Sequence, residues 1–278
     1  MGGGSGERAT RVAIVTGGTR GIGAGLVRAF AEAGWSVHFT GRSEASLRSA
    51  MGKMPIGLAP LVSAHVAMVD DVEALTRVWE AASAGGRVEV VLCNAGVSHP
   101  RPDFEGYDQA TLREVVTTNL IGPMTAALVF LPRMKAQGGG FFYAMEGLGS
   151  RGEIQRGTTL YGATKYALAY LLRALARESR GSGVSIGALS PGMVITDLLL
   201  ADSGGLGGLD SMPEGRKKIF TILADKVETV APWIVARVLA DVGSGPRPGR
   251  YRRFAWLGGP KIAWRFLTAP FAKRHIFD

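Results

Sequence analysis

The sequence predicts an α/β fold, a doubly wound, mainly parallel sheet flanked by helices in a single domain. Three observations predict it. Short, continuous apolar runs recur along the chain, as strands buried on both faces require. Stretches with apolar residues at helical spacing separate them. A glycine-rich loop joins the first run to the first helical stretch. Strand and helix alternating in this way argue for crossover connections and parallel pairing.

The chain has 278 residues, of which 46% are hydrophobic, enough for one sizeable core. Cys93 is the only cysteine, so no intramolecular disulfide can form, which fits a reducing compartment. No uninterrupted apolar run reaches the ~18 residues that a spanning helix needs. The first ten residues are polar and glycine-rich and are excluded from the fold. They lack the apolar centre of a signal peptide, which favours a cytoplasmic location; a plastid home would require a processed precursor. The organisation read here is a tail over 1–10, a domain over 11–246 and an extension over 247–278.

The first strand is Val12 to Thr16. The loop Gly17-Gly18-Thr19-Arg20-Gly21-Ile22-Gly23 follows, then a helix with Leu26, Val27, Phe30 and Ala33 on one face, closed by Gly34. Glycines let the backbone turn tightly and approach a pyrophosphate, while the helix N-terminus faces its charge. The spacing is Gly-x-x-x-Gly-x-Gly, and no Gly-Lys-Ser/Thr follows, so it is not a Walker loop.

The second strand, Ser36 to Thr40, leads to Gly41 and Arg42. An acidic residue there would hold the ribose 2′-hydroxyl of NAD; a guanidinium suits a 2′-phosphate, so the reading is NADP(H), with Arg20 as a second positive charge. Leu61 to Val66 is the third strand and Asp70 to Ala82 the next helix. Val88 to Cys93 is the fourth strand, running into the small turn Asn94-Ala95-Gly96. Cys93 reads as core. A long helical stretch from Asp108 to Lys135 carries Asn119, a poor helix former, and Gly122-Pro123 bends it.

Phe141 to Met145 is the fifth strand, followed by Glu146-Gly147-Leu148-Gly149-Ser150. A helix from Thr158 to Glu178 then places Tyr161 and Lys165 one turn apart on one face. A tyrosine near its ordinary pKa of ~10 is a poor base, and a neighbouring ammonium favours the phenolate. An ordinary half-exposed helix could carry the same pair, so the context must decide. The sixth strand, Val184 to Leu189, ends at Ser190-Pro191-Gly192. Thr196 to Ile219 reads as a lid over an apolar substrate, Val227 to Val242 as a helix and Tyr251 to Trp256 as the last strand.

Taken together, Thr16-Gly17…Gly21-Ile22-Gly23, Asn94-Ala95-Gly96, Asn119, Tyr161…Lys165 and Pro191-Gly192…Thr196 resemble the short-chain dehydrogenase/reductase family over about Arg11 to Val242. The resemblance implies a Rossmann-like, NADP(H)-dependent oxidoreductase. Tyr161 would be its acid/base, Lys165 would tune Tyr161 and bind the nicotinamide ribose, and Asn119 would position a relay water. Gly17, Thr19, Arg20, Gly21, Ile22, Gly23, Arg42, Val66, Asn94, Ala95, Gly96, Pro191, Gly192, Val194 and Thr196 would contact the cofactor together with Tyr161 and Lys165. The family's serine after the fifth strand is replaced by Glu146, which a raised pKa could turn into a donor; Ser150 is the other candidate. His65 stands where the family has an aspartate. The stretches from Met145 to Ser150 and from Ser190 to Leu200 resemble chlorophyll b reductases, which reduce a 7-formyl group. The preferred substrate is therefore apolar, a chlorophyll or related tetrapyrrole. A steroid or acyl ketone is the enzymatic alternative, and a non-catalytic NADP(H) sensor or scaffold is the other. A homo-oligomer built on the Asn119 and Tyr161 helices is implied as well.

The extension holds eight cations, Arg247, Arg250, Arg252, Arg253, Lys261, Arg265, Lys273 and Arg274, against Asp278 alone. Aromatics interleave with them. Packing of these aromatics on the body and peripheral membrane contact both remain open here. No nucleic-acid-binding module is present. The histidines show no metal-ligand spacing.

Overall fold

The computed structural model describes residues 11–99, 103–196 and 214–269. Seven strands form one parallel sheet: β1 (Arg11–Thr16), β2 (Ser36–Gly41), β3 (Val62–Val66), β4 (Arg87–Cys93), β5 (Gly140–Met145), β6 (Val184–Ser190) and β7 (Arg252–Ala255). Their spatial order is β3-β2-β1-β4-β5-β6-β7, with every pair parallel. The winding direction reverses between β1 and β4, which opens a crevice at their C-terminal ends.

Helices cover both faces. α1 (Gly21–Glu32), α2 (Glu44–Gly52) and α8 (Val227–Gly243) lie on one, burying Leu26, Phe30, Leu47, Ile234 and Val238. α3 (Val72–Ala84), α5 (Gly122–Ala136) and α6 (Thr159–Glu178) lie on the other, burying Val78, Phe130, Leu168 and Leu172. With both faces covered, alternate strand residues point into separate apolar layers, which is why the strands read as unbroken apolar runs. Cys93 is core, and burial pushes its thiol well above the ordinary value.

The helix predicted over Asp108–Lys135 is divided. α4 (Gln109–Val116) passes into a π turn, Thr117–Ile121, where the Gly122 N–H reaches back to the Thr117 carbonyl. Asn119 sits at its centre and is fully buried. The interruption therefore precedes Gly122-Pro123, which begin α5. A Cβ at Gly122 would come 2.8 Å from Val69, so this position needs glycine for a close approach. Gln109–Ala136 is long and apolar enough to cross a membrane by length and composition, but 56% of its most apolar window is buried in the fold. It serves here as a core helix.

α2 is absent from the sequence reading. Only Leu47 of it is buried, so the periodicity is faint, although its N-cap is plain: Ser43 Oγ accepts the Ser46 N–H at 3.3 Å, and Glu44 occupies the first turn. The lid predicted over Thr196–Ile219 falls largely on residues 197–213, outside the described residues. Its end belongs to the helix α7 (Glu214–Leu223). His65 pairs with His38 across β3 and β2, with Nδ1 of His38 2.9 Å from Nε2 of His65 and the rings stacked. Burial, and then the neighbouring His65, lowers the His38 pKa to about 4.

The C-terminal extension joins the body. β7 extends the sheet, and α9 (Gly259–Thr268) packs on α7. Three of the arginines turn inward onto buried carboxylates: Arg252 onto Asp241, Arg253 onto Glu146 at 2.5 Å and Arg265 onto Asp225 at 2.8 Å. Trp256 Nε1 donates to the same Asp225 at 2.5 Å, and Tyr143 Oη donates to Asp241 at 2.6 Å.

Candidate active site

The crevice between β1 and β4 is built by side chains that tie the two strand ends together. Thr16 Oγ1 accepts the N–H groups of Asn94 at 3.1 Å and Ala95 at 3.2 Å. Asn94 Nδ2 donates to the carbonyls of Thr16 at 3.2 Å and Gly17 at 3.0 Å. The glycine loop turns back over this floor with Gly17 at φ 67° and Gly21 at φ 53°, values that favour glycine. A Cβ at Gly23 would lie 2.0 Å from the Gly17 carbonyl and 2.5 Å from Asn94 Nδ2, so only glycine closes the loop. α1 begins at Gly21 with extended backbone at Arg20 and no capping by the Arg20 side chain. The first-turn N–H groups thus face the cavity that Thr19, Arg20, Ile22 and Gly23 line. Loop shape and helix end together fit a dinucleotide pyrophosphate.

Arg42 follows β2 and lines the cavity there. Its Nη1 lies 3.1 Å from Glu114 Oε1 of α4, and Glu114 Oε2 lies 2.9 Å from His99 Nε2. Arg42 is thus an exposed guanidinium whose present partner is a carboxylate of α4. Ser43 and Ser46 line the wall beside it. Val66 does not line the cavity and is 45% exposed; Ala67, Met68 and Val69 form that wall instead. The reason is alternation: β3 ends at Val66, and the chain enters the cavity only as it leaves the sheet.

At the other end, α6 presents Tyr161 and Lys165 to the cavity. Lys165 is buried; its Nζ donates to the Met145 carbonyl at 3.0 Å and stands 5.6 Å from the Tyr161 ring centroid. Burial lowers the Lys165 pKa to about 8, against an opposing pull from the Glu146 charge. Asn119 does not line the cavity. Its Oδ1 accepts the Val97 N–H at 2.8 Å, and its Nδ2 donates to the Val97 carbonyl at 2.9 Å. This two-way clamp fixes the loop after β4, and Nδ2 also lies 3.5 Å from Thr164 Oγ1. The side-chain amide is therefore committed to protein.

Glu146 is buried at the end of β5 and differs from expectation. Oε1 accepts from Tyr251 Oη at 2.8 Å and Oε2 accepts from Arg253 Nε at 2.5 Å. A carboxyl group that accepts at both oxygens, one of them from a guanidinium, has no proton to donate to a substrate. Pro191, Gly192, Val194 and Thr196 line the wall after β6, and Gly192 adopts φ 71° with Leu257 packed where a Cβ would stand. Thr196 lies across from the glycine loop, 3.2 Å from where a Cβ at Gly21 would be.

Several lining residues escaped the sequence reading. Gly147 is one: a Cβ there would lie 2.3 Å from the Tyr161 hydroxyl. Others are Leu257 and Ile262 of the extension and Phe220 and Leu223 of α7, which make the far wall apolar. Only the N-cap pattern at Ser43 was a local signal; the rest come from distant parts of the chain. The cavity, about 1240 Å³, runs unbroken from glycine loop to extension. That exceeds the ~300–1,000 Å³ of ordinary ligand pockets and leaves room for a dinucleotide and a second molecule.

A dinucleotide cradle at a sheet switch point, ending in a tyrosine beside a buried lysine, defines an oxidoreductase of the nicotinamide-dependent type. Residues 11–203 match the short chain dehydrogenase family, and the chain belongs to it. Among relatives, it is 28% identical to a probable chloroplastic chlorophyll(ide) b reductase of Oryza sativa subsp. japonica, over 96% of this chain and 54% of that one. It spans about half the length of this relative and of the corresponding Arabidopsis thaliana protein. A second chloroplastic chlorophyll(ide) b reductase of Oryza sativa subsp. japonica is 31% identical over 91% of this chain and 75% of that one. L-fucose dehydrogenase of Bos taurus is 35% identical over 68% of each chain. In fold, levodione reductase superposes with a TM-score of 0.77 at 24% identity, covering 92% of this chain and 100% of that one. ElxO with NADP bound gives 0.74 at 21% identity, covering 89% and 97%.

Proton transfer at Tyr161 would draw on the Lys165 charge only while that charge persists. Its lowered pKa means that the ammonium is complete below about 8 and is lost above it. The expected rate of carbonyl reduction therefore falls as pH rises through about 8, and Lys165→Met abolishes that limb. A flat wild-type profile from pH 7 to pH 9 (roughly one unit either side) would show that this charge is not used.

Proposed function

We propose that the protein is an NADPH-dependent carbonyl reductase acting on a large apolar substrate, with the 7-formyl group of chlorophyll b or a related tetrapyrrole as the preferred target. One observation carries the reading: Tyr161, backed by buried Lys165, stands in a cavity continuous with the glycine-loop cradle and walled by Leu223, Leu257 and Ile262. Similarity to chlorophyll(ide) b reductases over most of this chain supports the choice of substrate.

Bound NADPH supplies a hydride to the carbonyl carbon. The Tyr161 hydroxyl gives its proton to the carbonyl oxygen, so a formyl group becomes hydroxymethyl. Lys165 favours the phenolate left behind and lowers the cost of that transfer. Asn94 and Thr16 hold the floor, and the Asn119 clamp on Val97 keeps the turn above it fixed. Arg42 and Arg20 would hold the 2′-phosphate, Arg42 giving up its contact with Glu114 to do so.

Two surfaces extend the reading. Leu128 and Met124 of α5 and Tyr166 and Tyr170 of α6 are exposed on neighbouring helices, with Ala163, Ala167 and Ala174 between. They fit a second copy of this chain, in keeping with the oligomers common in the family. Ala169, by contrast, faces the protein's own core. On α9, Trp264 is 62% and Leu267 75% exposed, on the helix that also carries Ile262 of the cavity wall. With a formal charge of +9 on the chain, this apolar face suits an anionic lipid surface that also holds the substrate.

The principal test is a spectral assay with NADPH and chlorophyll b or chlorophyllide b in detergent, read as the 7-hydroxymethyl pigment. Conversion is expected in the wild type and absent in Tyr161→Phe, whose NADPH binding is unchanged. Intact NADPH binding without conversion rejects the pigment; silence across a broad carbonyl panel as well leaves only a sensor. Arg42→Ala is expected to weaken NADPH about 10–100-fold, the loss of one charge-assisted contact, while NADH is unaffected. Equal loss for both cofactors would remove Arg42 from phosphate recognition. Sedimentation is expected to show at least a dimer and binding to anionic vesicles that Leu267→Asp weakens; a monomer indifferent to vesicles discards both surfaces.

A further inference from the structure

We propose that His99 returns a proton to Tyr161 after each turnover, through a single water held in a small cavity that both residues wall. This rests on the carbonyl-reductase reading above, in which Tyr161 is left as a phenolate by every reduction and must regain a proton before the next.

The loop after β4 brings His99 to this place. Asn119 holds both the N–H and the carbonyl of Val97, and the chain then runs through Ser98 to His99 beside α4. There His99 Nε2 lies 2.9 Å from Glu114 Oε2. A carboxylate at that distance accepts the Nε2 proton, which leaves Nδ1 as the nitrogen that takes up and gives away a second one. Among the described residues no hydrogen bond engages Nδ1. The side chain is 31% exposed, so the ring also meets solvent. The other charges around it are Asp108, at the N-cap of α4, and Arg42, 3.1 Å from the second oxygen of Glu114.

A second cavity, of about 10 Å³, lies against the same ring. His99 and Tyr161 wall it together with Ser98, Tyr107, Val115 and Leu160. Tyr161 and Ser98 also line the large cavity, so the tyrosine is a wall common to both. That volume is roughly the room of one water, and a buried water needs roughly two to four polar partners. Tyr161, His99, Ser98 and Tyr107 bring polar side chains to it, while Val115 and Leu160 are buried and apolar. The proton balance closes with no further reagent. Tyr161 gives its proton to the carbonyl oxygen, and the phenolate takes one from the water. The water takes the Nδ1 proton of the imidazolium, and solvent then protonates the imidazole again. Glu114 keeps the Nε2 proton in place throughout, so the ring holds its orientation.

The test uses the full chain with NADPH and chlorophyllide b. His99→Gln keeps an amide that can donate to Glu114 but carries no exchangeable proton for the water. Its kcat is expected to fall about 10–100-fold, less than the ~10²–10⁴-fold of a group that transfers the proton directly, because solvent still reaches the tyrosine slowly. Melting temperature and NADPH affinity stay at wild-type values. His99→Ala loses a similar amount, and imidazole added to the medium restores much of its rate, which a residue that only shapes the loop would not allow. A kcat for His99→Gln within about two-fold of wild type overturns the proposal, as does an imidazole series that leaves His99→Ala unchanged. If the wild type binds NADPH and reduces no carbonyl, the reductase reading is what fails. The proton return is then read without a substrate, by a downward pH jump on the NADP⁺ complex. Tyrosinate absorbance, taken as the difference from Tyr161→Phe, is expected to decay about 10-fold more slowly in His99→Gln, and equal rates overturn the relay.

Discussion

Three carboxylates, Glu146, Asp225 and Asp241, are buried in a fold whose C-terminal extension brings the cations that match them. A buried carboxylate left without a partner destabilises a protein by about 3–5 kcal/mol. Each of these sits at a joint: Asp241 on α8, Asp225 before it and Glu146 at the end of β5. Arg252, Arg265 and Arg253 must therefore reach inward, and in doing so they carry β7 into the sheet and α9 onto α7. The extension is held by charge complementarity as much as by apolar contact, and the far wall of the cavity follows from that docking.

The same arrangement reaches the chemistry. Glu146 neutralises Arg253 on one side and favours the Lys165 ammonium on the other, opposing the burial that lowers the lysine pKa. Lys165 is anchored by the Met145 carbonyl, the last residue of β5, so its position is fixed by the sheet. The glycine cradle is fixed in turn by Thr16 and Asn94, which lock the ends of β1 and β4. The reactive groups thus stand on the carboxyl edge of a rigid parallel sheet, where open α/β folds place their ligands. Apolar residues from distant segments complete the substrate wall.

Much of this was legible beforehand. β1, β2, β4, β5 and β6 announce themselves because both of their faces are largely covered, which leaves mainly apolar runs; β3, at the sheet edge, has only Val62 buried. The glycine loop is legible because Gly17, Gly21 and Gly23 answer local demands of φ angle and close approach. Tyr161 and Lys165 share a helical face by spacing alone. α2 was not legible, because burying only Leu47 gives it almost no periodic signal. Nor was the fate of Asn119, whose amide closes on Val97, a residue far back in the sequence. Position 146 misled because its alignment is with the strand before it, while its side-chain partners come from more than a hundred residues later.

By itself, the sequence determined the layered α/β architecture, the glycine loop after β1 and the shared helical face of Tyr161 and Lys165. Each depends on periodicity or on contacts between near neighbours, which a linear pattern records. The tertiary structure alone decided which groups face the cavity. It engaged both oxygens of Glu146, a residue of the cavity lining, with Tyr251 and Arg253, and set Ser150 beside Gly147. It put the residues after Val66, and not Val66 itself, in the cavity wall, and it made a basic extension into a strand, a helix and a wall. Those outcomes depend on burial of charge and on contacts across the whole chain, and neither is written in any short stretch of residues.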